Sequence, residues 1–125
     1  MAAADVRRLE LVRIPGSRDW DEWAVVPGET LGTAEGADAV ALAGLVAGLP
    51  DGEPMRCFSP VYALRAHGAA ETLFEIAFCF RCHNALVVVP NGGRPGLVAF
   101  GADSPSGQAL LARFKAADRT APGGA

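Results

Sequence analysis

Lysine is nearly missing from this chain: ten arginines stand beside the single Lys115, with two histidines and one tyrosine. Acidic groups outnumber basic ones, 14 to 11, for a formal charge of -3. Arg7, Arg8 and Arg13 are the nearest thing to a basic patch. Phosphate recognition draws on clustered cations, so no nucleic-acid partner is expected. No apolar run approaches the ~20 residues of a membrane span; Ala85–Pro90 falls far short, so no membrane partner is expected. The opening Met1-Ala2-Ala3-Ala4-Asp5-Val6-Arg7-Arg8 lacks a positive segment followed by an apolar one, which predicts a cytoplasmic location. Three cysteines, an odd number, fit reduced thiols better than a disulfide framework. No G-x-S-x-G, P-loop or H-E-x-x-H motif is present, which leans against an enzyme.

What is present is a globular composition. Half of the 125 residues are apolar and a fifth are charged, enough for one domain over 1–125 with one core. The 24 alanines and 15 glycines, with arginine replacing lysine, fit a bacterial gene of high GC content.

Residues 6–14 read as a strand stopped by Pro15-Gly16. A polar loop follows, holding Trp20 and Trp23, a pair expected as half-buried core at the edge of a sheet; this loop is also the first place to expect a protein contact. Residues 27–36 are turn-rich and read as irregular. Residues 37–49 read as a helix, because Leu42, Leu45, Val46 and Leu49 share one helical face. Strands are expected over 61–66, 71–80, 85–89 and 97–100, with a turn at 67–70. Ser104-Pro105 marks an N-cap and first helical position, opening a helix over 105–117. Residues 118–125 read as a disordered tail. The sum is an α+β domain: an antiparallel meander of four to five strands with two helices packed on one face. The row Phe74, Ile76, Phe78 and Phe80 should face those helices.

The chemistry-bearing residues are Cys57, Cys79, Cys82 and His83. Residues three apart on a strand point to opposite faces. Cys79 and Cys82 can therefore meet only if the chain turns through 81–84. If Ala66 and Glu71 flank the preceding turn, Cys57 falls opposite Phe80, at the cysteine end of the hairpin. Cys57 should then lie within about 7 Å, Cα to Cα, of Cys79 or Cys82. His67 falls at the far end, ~40 Å away along an extended strand, and is not a fourth ligand.

Several readings stay open. The thiols are simply buried, as free cysteines commonly are. They hold zinc with His83 as the fourth ligand, sulfurs about 3.5–4 Å apart, or the protein has no cofactor at all. They form a thiol redox pair or a regulatory disulfide. Or Cys79-x-x-Cys82-His83 attaches a c-type haem, with Met55 or His67 as second axial ligand.

Residues 55–115 resemble small uncharacterised bacterial proteins. The resemblance rests on a Cys-x-x-Pro segment, here Cys57-Phe58-Ser59-Pro60, and an aromatic strand ending Cys79-Phe80-Arg81-Cys82. It covers about half the chain. It implies no activity, but it favours reading the three cysteines as one unit. The functional expectation is a small soluble accessory or interaction protein with a cysteine cluster at a hairpin end. Its partner, if a protein, and its oligomeric state are open.

Overall fold

A computed structural model describes residues 5–16, 19–53, 57–90 and 92–120. The sheet has six antiparallel strands where four to five were expected: β1 (Arg8–Arg13), β2 (Glu29–Glu35), β3 (Tyr62–His67), β4 (Thr72–Cys79), β5 (Asn84–Val88) and β6 (Gly96–Ala99). Their order is β2-β1-β3-β4-β5-β6. The two helices are α1 (Gly36–Ala47) and α2 (Pro105–Thr120). None of the described helices is long and apolar enough to cross a membrane.

The additional strand is β2, in the segment read as irregular. It pairs only with β1, Leu9 facing Ala34 and Leu11 facing Gly32, and buries Leu31 and Ala34. Its glycine and threonines hide a strand whose order comes from its neighbour.

Both helices cover one face, as expected. Their core unites Leu9, Leu11, Leu42, Leu64, Ile76, Phe78, Leu110 and Phe114, with Leu45, Val46 and Leu49 packed against it. Ile76 and Phe78 are buried in the expected aromatic row, while Phe74 and Phe80 are half-buried. Tyr62 stacks on Phe114 at 5.0 Å between ring centroids, and Phe78 meets Phe114 at 6.0 Å. Helix α2 opens as its sequence demands: the Gly107 amide donates to Ser104 Oγ at 3.1 Å, with Pro105 at the first helical position.

That helix runs through 118–120, which the sequence reading had placed in a tail. Asp118 explains the extension, because it accepts from Arg13 at 2.7 Å and from the Tyr62 hydroxyl at 2.9 Å, tying the last turn to the sheet. Residues 121–125 lie outside the described set.

The opposite face carries a smaller core of Val12, Ile14, Val26, Ala63, Ala77, Leu86 and Val88. Here the 19–28 segment folds over the sheet. Trp20 and Trp23 are half-buried in this cover, as expected for the pair. Trp20 meets Phe58 edge-on at 5.1 Å.

Candidate functional site: the cysteine end and the polar end of the second face

The β3–β4 hairpin sets where the cysteines meet. The turn closes one residue later than expected, through the Gly68 amide donating to the Glu71 carbonyl at 2.7 Å. A register shift between Ala66 and His67 adds a further step. Ala63 therefore faces Ala77, where a turn at 67–70 would have set it opposite Phe74. This slip moves Cys57 past Phe80 toward the β4–β5 turn.

There Cys57 is bonded to Cys82, with a Cα–Cα distance of 5.6 Å and a sequence separation of 25. The proximity expected from the hairpin holds. The expectation of reduced thiols does not hold for this pair. The turn over residues 80–83 brings Cys82 to the bond, and His83 completes it with φ of 56°, a left-handed conformation. Asn84 then anchors the other side, its Nδ2 donating to the Cys57 carbonyl at 2.8 Å. Gly52 makes a tight crossing of its own with Phe100, where a Cβ would lie 2.3 Å from the Phe100 carbonyl oxygen.

The other candidate residues do not join this bond. Cys79 is a free thiol, 1% exposed, and pairs across the strands with Asn84. His83 Nε2 lies 3.8 Å from Asp103 Oδ2. Among the described residues no group of three or more His, Cys, Asp or Glu side chains is placed to hold a metal. The Cys79-x-x-Cys82 pair of the haem reading is divided, since Cys82 is already bonded to Cys57. Met55 lies outside the described residues. His67 sits at the far end of β3, as expected.

That far end holds a network the sequence reading missed. Glu75, 1% exposed, accepts from Arg65 Nε at 2.7 Å and from the Val26 amide at 3.2 Å. Arg65 also donates to the Val26 carbonyl at 2.9 Å and to Glu10 at 3.0 Å. Glu10 accepts from Thr30 as well, and its Oε1 lies 2.8 Å from His67 Nε2. A carboxylate only accepts, so Nε2 carries a proton, and Nδ1 lies 3.2 Å from the Thr72 hydroxyl. Burial pushes the Glu10 carboxyl up, but Thr30, His67 and the Arg65 charge outweigh it and hold it below the usual value. Burial likewise works against charge on Arg65, yet Glu75 and Glu10 raise it.

The order hydroxyl, imidazole, carboxylate at Thr72, His67 and Glu10 is that of an activated nucleophile. Here, however, the carboxylate is shared with Arg65 and Thr30, and Arg65 faces both Glu10 and Glu75 across the strands. This is a cross-strand ladder that fastens β1, β3 and β4. A cleft of about 520 Å³ opens beside it, bordered by Arg7, Arg8, Glu35, His67, Glu71 and Thr72. The signal for the network was an arginine and a glutamate in two adjacent strands, beside Ala63 and Ala77 on the same face.

No family model, curated protein or solved structure matches the chain.

Proposed function

We propose that this chain is a small accessory or interaction protein whose cysteines serve its architecture, as a staple and not as a reaction centre. The observation that carries the reading is the Cys57–Cys82 bond, which joins the segment entering β3 to the β4–β5 turn. Cross-linking residues 25 apart removes about 3.5 kcal/mol of chain entropy from the unfolded state. Cys79 then acts as a small buried apolar group. The resemblance to proteins with Cys-x-x-Pro and Cys-Phe-x-Cys segments supports treating this end of the sheet as one unit. A binding role finds further support in β6, an edge strand whose Leu97 and Val98 are about half exposed.

The test is protein purified without added metal, analysed for zinc and for intact mass before and after reduction. The reading expects the mass deficit of one disulfide, no stoichiometric metal, and a lower melting temperature in reductant. One equivalent of zinc released together with three reactive thiols would contradict it and restore the zinc site at Cys57, Cys79, Cys82 and His83. A Soret band would favour the haem.

A further inference from the structure

The two halves of the Cys57–Cys82 bond stand in unlike surroundings. Cys57 is exposed, whereas Cys82 is 2% exposed. Thiol–disulfide exchange is an in-line displacement, with the attacking sulfur approaching along the S–S axis from behind the sulfur it attacks. Cys57 is the half that stands in solvent, whereas Cys82 is enclosed in the turn over residues 80–83. The same bond restrains the chain that carries Phe58, whose ring rests on Trp20 over the second face. The staple thus has one accessible end and a mechanical consequence.

We propose that the Cys57–Cys82 bond is a substrate for protein dithiol reductants of the Cys-x-x-Cys class, attacked at Cys57 Sγ with Cys82 as the leaving group. The inference rests on the staple reading above. The reductant's thiolate forms a bond to Cys57 Sγ as the Cys57–Cys82 bond breaks. The electron pair leaves on Cys82 Sγ, which takes a proton from water. The reductant's second thiol, as thiolate, then attacks its own sulfur in the mixed disulfide and releases Cys57 as a thiolate, which is protonated in turn. The reductant ends oxidised, and this chain ends with two new thiols. Opening removes the covalent tie between the segment bearing Phe58 and the turn, leaving the Asn84 bond to the Cys57 carbonyl, and loosens the aromatic cover at Trp20.

The experiment uses the full chain and a dithiol oxidoreductase whose second cysteine is replaced by alanine, so that the mixed disulfide persists. Acid quenching, alkylation and tryptic mapping then locate it. Cleavage after Arg56, Arg65 and Arg81 puts Cys57, Cys79 and Cys82 on separate peptides. The expected product joins the reductant to the peptide 57–65, and full reduction with the intact oxidoreductase shifts the tryptophan emission. A mixed disulfide on the peptide that begins at Cys82 overturns the proposal. So does an absence of any mixed disulfide when the starting material maps as Cys57–Cys82, which leaves the staple reading standing. Unchanged tryptophan emission after full reduction overturns the coupling to Trp20. Starting material without the Cys57–Cys82 bond overturns the staple reading itself, and this inference with it.

Discussion

The second face of the sheet is closed in two different ways. At the cysteine end, Val12, Ala63, Ala77, Leu86 and Val88 pack under Trp20, Trp23 and Phe58, and a covalent bond holds the margin. At the other end, β1, β3 and β4 carry Glu10, Arg65 and Glu75 toward the same side, and the closure is ionic. Val26 belongs to both: its side chain is in the apolar cluster while its backbone amide and carbonyl bond Glu75 and Arg65. One short cover segment therefore satisfies two chemistries. The apolar end tolerates loss of single contacts gradually, whereas the ionic end depends on every partner, because a buried charge without its counter-charge is costly.

The sharpest way to break that contrast is Glu75→Ala. It takes the acceptor from Arg65 Nε and from the buried Val26 amide, leaving Arg65 with Glu10 as its remaining carboxylate, and should cost about 3 kcal/mol in denaturant unfolding. Replacing both partners, Arg65→Met with Glu75→Leu, should cost less than the Glu75→Ala change alone. A double cycle showing simple additivity would contradict the ionic closure.

At the covalent end, Cys57→Ser should lower stability by about 2–4 kcal/mol. Adding reductant to this variant should then change nothing further, which thermal unfolding with and without reductant checks. Tyr62→Phe probes the opposite face, where the hydroxyl bonds Asp118. Burial and the Asp118 carboxylate raise that hydroxyl's pKa, so it stays protonated as a donor. Its loss should cost about 1 kcal/mol.

The smallest effect is the pH dependence of Glu10. Its folded pKa is depressed below the ordinary 4.5. The stability it contributes is therefore present above that ordinary value and is lost as pH falls through the lower folded value. Urea midpoints should drop over that acidic window in the parent protein, and Glu10→Gln should flatten the drop. An unchanged slope would remove Glu10 from the network.

Much of this was legible in the sequence where local chemistry decides. Ser104-Pro105 fixes the start of α2, and the spacing of Leu42, Leu45, Val46 and Leu49 fixes the buried face of α1. The meeting of Cys57 with the β4–β5 turn followed from a hairpin alone. The register within that hairpin did not, because Gly68 moves the turn and the irregularity at Ala66/His67 adds a step that no residue type announces. Strand β2 was hidden because pairing with β1 makes it a strand, not its own composition. Arg65 and Glu75 lie on the sheet face away from the helices. Only the 19–28 cover, folded back across the sheet, makes them a buried pair. The same fold-over makes the half-buried tryptophan pair the lid of a core.

The central claim is that Cys57 and Cys82 form one staple and Cys79 stays a buried thiol. Alkylation without reduction, followed by tryptic mapping, tests it most directly. The account predicts that the peptide 57–65 is disulfide-linked to the peptide beginning at Cys82, while the peptide 66–81 carries the alkyl group on Cys79 after denaturation. A link through the 66–81 peptide, or alkylation of all three cysteines, would contradict it.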